Sequence, residues 1–282
     1  MLNAINVKEK GRFSMHDALD NHAFFLFTDM FFGIPALLLV GLYIGAVFAT
    51  NRRKGLRKWP MLRTIYFVAG VFLAASALVG PLSRQSHADF MAHMVGHLLL
   101  GMLAPLLIAL AAPITLLLRT LNVNYARRLS RLLKSHPIRF FSHPIVASIL
   151  NIGGLWLLYT TNLYTAMHGN LWLHITVHIH VFIAGYLFTI SLLYIDPVFH
   201  RFSFPYRTSI FILALAGHGI LSKFLYAYPP EGVPLEQARI GAMLMYYGGD
   251  AVDLILIFIL FRHWYKSVRL RRNIAIRIEG II

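Results

Sequence analysis

Residues 93–97 read His93-Met94-Val95-Gly96-His97. On a helix, side chains four residues apart sit about 40° apart in projection and about 6 Å apart along the axis. Two imidazoles so placed can grip one metal ion, and the thioethers of Met91 and Met94 lie alongside. The motif is not that of a zinc protease, which needs Glu beside the first His where Met94 stands. The competing reading of such a pair is two polar residues hydrogen-bonded between helices. The spacing recurs at His174 and His178, while His180 falls about 200° round the helix from His178 and faces other neighbours. His218 stands between Gly217 and Gly219, which allow close approach of a helix or ligand. Further on, Asp250 and Asp253 are three residues apart and share one helix face. Imidazole suits Zn, Cu, Fe and Ni, and thioether softens a site towards Cu(I).

These residues lie in a chain that is 58% hydrophobic and 13% charged over 282 residues. Soluble domains run about 45–50% apolar and about 25% charged. Disorder is excluded by 21 Phe, 13 Tyr and 4 Trp. The absence of cysteine removes disulfides, thiolate metal sites and cysteine nucleophiles. An all-α, polytopic membrane protein is what remains. Seven apolar stretches are long enough to span a bilayer, at 28–50, 64–81, 90–118, 144–161, 171–194, 207–228 and 239–261. Pro105 and Pro113 predict a kink or break in the third.

Twenty of the 26 Lys and Arg residues fall in 51–63, 119–143, 195–207 and the C-terminal tail. That bias predicts a cytoplasmic C-terminus and an N-terminus outside, and it accounts for the net charge of +15 without nucleic acid. The expected organisation is an extracytoplasmic tail over 1–27, a seven-helix domain over 28–262 and a basic cytoplasmic tail over 263–282. Residues 1–27 carry charges throughout and do not read as a cleavable signal peptide. Residues 120–135 read as a short helix on the anionic inner leaflet. No nucleotide-binding motif is visible, which argues against ATP-driven pumping.

On this topology ten of the 14 histidines lie outside or in the outer part of the spans. At about 1.5 Å per residue, His93 and His174 lie near 5 Å depth, His97 and His178 near 10 Å, and His218 near 15 Å. Imidazole in hydrocarbon is costly unless paired, so these rings should face the bundle interior and converge on one outward-facing metal site. In that site His93 and His97 are the primary ligands, His174 or His178 the third, and a Met thioether or His218 the fourth. Asp250 and Asp253 are near mid-membrane, where a carboxylate is expected to orient a ligand or accept a proton. Met243 and Met245 cannot both face the site. His16 and His22, with Asp17, Asp20 and Asp29, are candidates for capturing an ion on the outer tail. Outer-face His with Met and no Cys points to copper, Cu(I) over Cu(II). The alternatives are haem held by axial His residues and a copper permease.

The run Phe90 to Leu100, followed by Ala104-Pro105-Leu106-Leu107, resembles the HMxxH…P segment of the CtaG family. These are multi-spanning assembly factors for caa-type haem–copper cytochrome c oxidases. His178-Ile179-His180-Val181-Phe182, with Gly185, Phe188 and Asp196-Pro197, resembles a second signature of the family. Glu236-Gln237 to Gly241, then Gly248-Gly249-Asp250, resembles a third, with Glu236 where Asp is expected. The resemblance covers roughly residues 60–260 and leaves the first 25 unmatched. It implies a non-enzymatic role in maturing the copper centre of the oxidase catalytic subunit, in the bacterial inner membrane, with an extracytoplasmic copper donor as a further partner. It carries over to His93, Met94, His97, Pro105, His178, His180 and Asp250; His174 and His218 rest on depth alone.

Overall fold

A computed structural model describes residues 2–198 and 201–279, with side chains described over 24–198 and 201–269. Among the described residues the chain is entirely helical. Helix α1 (Leu2–Arg52) is followed by α2 (Met61–Leu78), the short α3 (Pro81–Ser86), α4 (Phe90–Leu98), α5 (Ala104–Leu110) and α6 (Pro113–Thr120). Then come α7 (Val123–Leu133), α8 (His136–Phe141), α9 (Pro144–Ser148), α10 (Gly154–Thr160) and α11 (Leu163–Gly169). The long helices α12 (Leu171–Leu192), α13 (Phe204–Ala227) and α14 (Leu235–Glu279) complete the chain. Among the described residues six helices are long and apolar enough to cross a membrane, and a seventh span is formed if the segment Pro144–Gly169, bent by 78°, is counted as one.

The span Phe90–Leu110 is the centre of the bundle: an apolar 18-residue stretch of it is 67% buried, against 6% for the corresponding stretch of Phe24–Arg52. The latter exposes Leu37, Leu38, Leu42 and Phe48 along its length, the surface expected of a helix that faces lipid. The central span is not a regular α-helix. Pro105 has no N–H to give the Gly101 carbonyl, and its ring would collide with it. The turn Leu99–Leu103 widens into a π-helix and absorbs the conflict. Helix α12 passes this turn so closely that a Cβ on Gly185 would stand 2.0 Å from the Gly101 carbonyl oxygen.

The expected break at Pro113 is present, one residue earlier. Ala112 takes the left-handed conformation at φ 53°, since the residue before proline is kept out of the α region. The span over 90–118 therefore ends at Leu110, with α6 set apart from it. The new helix is capped from a distant loop: Asp196 accepts hydrogen bonds from the Ile114 and Thr115 amides (3.1 and 2.8 Å) and from Thr115 Oγ1 (2.6 Å). Desolvation raises the Asp196 carboxyl above the usual range, and these three bonds oppose the rise. Helix α7 has no buried residue and a strongly one-sided charge pattern, as anticipated for the amphipathic stretch 120–135.

Most of the cationic residues and most of the histidines gather at opposite ends, His136 and His143 being among the arginines. Arg53 donates to the carbonyls of Arg119, Thr120 and Leu121, closing α6 at the arginine-bearing end. The opposite, histidine-bearing end carries α3, α11 and the first turns of α4 and α12.

Candidate metal site

Two capped helix starts place the first histidines. Asp89 accepts from the Met91 amide (2.9 Å) and starts α4, which puts His93 in its first turn. Asn170 accepts from the Leu173 amide (3.1 Å) and starts α12, which puts His174 in the equivalent turn. Gln237 accepts from the Phe90 amide (3.3 Å) and ties the start of α14 to that of α4.

His93, His97, His174 and His218 are all buried, as their expected inward orientation requires. His93 Nε2 shares a 3.0 Å hydrogen bond with the Tyr159 hydroxyl. His97 Nε2, His174 Nδ1 and His218 Nε2 are buried without a hydrogen-bond partner. A buried polar atom left unpaired costs about 1–3 kcal/mol, so three of them within one bundle need a reason. His178 Nδ1 lies 2.8 Å from the His174 carbonyl. A carbonyl only accepts, so in the neutral ring Nδ1 carries the proton and Nε2 keeps its lone pair. His168 is set the same way by the Tyr164 carbonyl at 2.8 Å. A ring that donates one nitrogen to a carbonyl and offers the other is the usual form of a metal-binding histidine.

The rings form levels rather than a single pocket. Nearest the bundle end, His87 lies 5.1 Å from His168 and 5.0 Å from His174, centroid to centroid. The His174 and His178 rings are 4.2 Å apart. Burial, with His168 and His178 close by, holds His87 down at about 4, so it is neutral at physiological pH. One turn deeper, His93, His97, His178 and Tyr159 line a cavity of ≈ 20 Å³. Deeper still, His97, His218, Asp253, Asn151 and Met102 line a second cavity of ≈ 20 Å³. The His97 and His218 rings are near-parallel with centroids 6.3 Å apart. Gly249 makes room for this arrangement, since a Cβ there would meet the His218 ring at 2.5 Å. Each cavity holds one ion or water and has no room for a porphyrin. Among the described residues, no three His, Asp or Glu side chains converge closely enough to hold one ion together.

Several predicted residues lie elsewhere. His180 turns away from His178, as its angle predicts, and its Nε2 donates to the Leu150 carbonyl (3.1 Å) in the π-helical turn Ile149–Gly153. Met94 is fully buried in an apolar cluster with Phe90 and Leu155. Met245 belongs to that same cluster, and Met243 is exposed. Asp253, not Asp250, lines the deep cavity. Asp29 is engaged by Arg84 (2.9 Å) and the Gly80 amide (3.0 Å). The side chains of His16, His22, Asp17 and Asp20 lie outside the described residues. Sequence reasoning assigned no role to His87, His168, Tyr159 or Met102.

The family model for the cytochrome c oxidase caa3 assembly factor (Caa3_CtaG) matches residues 41–267. Uncharacterized proteins of Mycobacterium bovis and Mycobacterium tuberculosis are each 31% identical over 199 residues, covering 68% of this chain and 30% of theirs. One of Mycobacterium leprae is 28% identical over 197 residues, covering 67% of this chain and 30% of its own. The chain thus spans under a third of the length of these curated relatives. No solved structure matches it.

Proposed function

We propose, since this chain belongs to the Caa3_CtaG family of cytochrome c oxidase caa3 assembly factors, that it carries copper as cargo for the oxidase and binds it among the buried imidazoles. An oxidase subunit is the partner that the family role implies. On the finer reading that subunit is the catalytic one, the histidine-bearing end faces outside the cytoplasm, and copper arrives there from an external donor. The positive-inside bias of the arginine-bearing end supports this orientation in a bacterial inner membrane. The protein acts by binding and release, without catalysis.

One observation carries the reading: the unpaired buried nitrogens of His97, His174 and His218, next to His93 and His178. A soft cation that accepts imidazole lone pairs would remove the cost of leaving them unmet. The one-ion size of both cavities favours an ion over haem. Phe188 and Phe211, which line the cavity beside Asp253, belong to an apolar cluster with Leu192, Val252 and Leu256. That apolar cluster favours delivery from the histidine-bearing end over passage through the membrane.

The test replaces His93 and His97 together with Ala. Purified variant should lose its copper, and oxidase from cells carrying it should keep haem but lack its copper centre. Oxidase assembled with full copper would refute the reading.

A further inference from the structure

An open groove of ≈ 770 Å³ lies at the arginine-bearing end, between the ends of α1 and α6 and the side of α7. Its size is within the about 300–1,000 Å³ of small-molecule sites. Among the described residues its lining holds five cationic side chains, Arg53, Arg119, Arg127, Arg131 and Lys134, and no carboxylate. Residues 127, 131 and 134 follow at i, i+4 and i+7, so α7 turns one cationic face to the groove. Like charges four apart on a helix repel. On the other wall, Arg53 donates to the carbonyls of Arg119, Thr120 and Leu121, and Arg119 to that of Arg57 (3.4 Å). Arg119 also lies over the Trp59 ring at 5.4 Å, with Arg63 over the same ring at 5.0 Å. These partners are neutral. They orient the guanidinium groups without cancelling their charge, so the groove keeps a positive potential that favours an anion.

The groove also has an apolar side, made by Leu56, Leu118, Leu121 and Val123. It opens at the membrane surface: Arg53 comes directly after the span Phe24–Arg52, and α7 has no buried residue. Val123 and Leu132 of α7 are 65% and 58% exposed, a surface that suits lipid better than water. A small soluble anion would gain nothing from the apolar wall, and an uncharged lipid nothing from the cations. We propose that this groove binds the headgroup of an anionic phospholipid, drawn from the inner leaflet on the orientation given above. Arg127 and Arg131 supply the contacts to phosphate, for which a guanidinium fork is suited. Arg53 and Arg119, already engaged with carbonyls, add positive potential, and the leucines and Val123 meet the start of the acyl chains. Basic pockets at the cytoplasmic ends of spans take anionic headgroups for the same reason. The bound lipid would hold α7 against the ends of α1 and α6. None of this depends on copper.

In the experiment, detergent-purified full chain is titrated with phosphatidylglycerol or with phosphatidylcholine of the same acyl chains, and bound lipid is counted by native mass spectrometry. Wild type should retain phosphatidylglycerol in preference to phosphatidylcholine. Arg127→Gln with Arg131→Gln should weaken phosphatidylglycerol binding about 25-fold, at about fivefold for each cation beside an anionic headgroup. Both side chains are exposed on a helix with no buried residue, so the variant should fold as wild type does. Arg128→Gln with Arg139→Gln removes the same charge at positions that do not line the groove. It should leave the affinity within about twofold of wild type, since exposed charges away from the site are screened. Equal retention of the two lipids by wild type, or an equal loss in the two double variants, overturns the inference. Displacement of phosphatidylglycerol by millimolar inorganic phosphate would overturn it too, by making the groove a site for soluble anions.

Discussion

At the arginine-bearing end, Asp196 satisfies two helix-start amides and a hydroxyl, and Arg53 closes three carbonyls at the end of α6. Tyr43 there accepts a hydrogen bond from Trp59 Nε1 (3.1 Å) and donates one to the Ala111 carbonyl (3.0 Å). At the histidine-bearing end, burial is just as deep, yet His97, His174 and His218 each keep a ring nitrogen without a partner. Both regions place polar groups where water is scarce. In the first Asp196, Arg53 and Tyr43 hold broken helices together, though His143 Nδ1, Arg207 Nε and Thr208 Oγ1 there also lack partners; in the second the unpaired atoms, Arg239 Nε apart, belong to clustered imidazoles. The contrast separates polar groups that maintain the fold from polar groups kept in reserve for a ligand.

The largest effect is expected of Asp196→Ala. It leaves the Ile114 and Thr115 amides without their cap, and should cost about 3 kcal/mol. Denaturation in detergent should show a lower midpoint, while copper bound per folded molecule stays at the wild-type value. An unchanged midpoint would mean that the arginine-bearing end does not depend on its buried bonds.

Tyr159→Phe probes the histidine that does have a partner. Removing the hydroxyl from His93 Nε2 should lower stability by about 1 kcal/mol. The count of bound copper should be kept, because Tyr159 is no ligand in this account.

His218→Phe tests the opposite prediction. It replaces a ring whose Nε2 is unpaired with an apolar one, so stability should stay within about 1 kcal/mol of wild type. Copper binding should nevertheless fall. A large loss of stability together with intact copper would invert the comparison and make His218 a structural residue.

The smallest effect concerns pH. His87 directly follows α3, and its folded value of about 4 is below the ordinary 6.5. The unfolded chain therefore takes up a proton first as pH falls, so stability drops between about pH 6.5 and 4 and levels off below. His87→Gln should flatten that part of the melting-temperature profile. The ring is only partly buried, so the change should be modest.

The spans were legible because bilayer thickness demands long apolar runs: α2, α12 and α13 match their predicted stretches to within three residues at each end, and α14 contains its own. The inward orientation of His93, His97, His174 and His218 followed from the cost of polar groups in lipid. The π-turn was not legible, since a change of hydrogen-bond register inside an apolar run leaves composition untouched; Pro105 was its one trace. Helical-wheel arithmetic therefore set Met94 beside the imidazoles, where it is core, and passed over Met102. His87 and His168 escaped because depth was counted along spans. They sit on short pieces next to α3 and at the end of α11, folded back over the bundle end. The signals available were the Gly80-Pro81 pair, where Gly80 takes φ 84°, and Gly169 just after His168.

The central claim is that the buried imidazoles bind copper directly. X-ray absorption of Cu(I)-loaded wild-type protein, beside the His93→Ala, His97→Ala, His218→Ala triple variant, tests it most directly. The wild type should show the multiple scattering of imidazole ligands, and the triple variant should lose it. A spectrum identical in the two proteins, or a wild type that retains no copper, would contradict it.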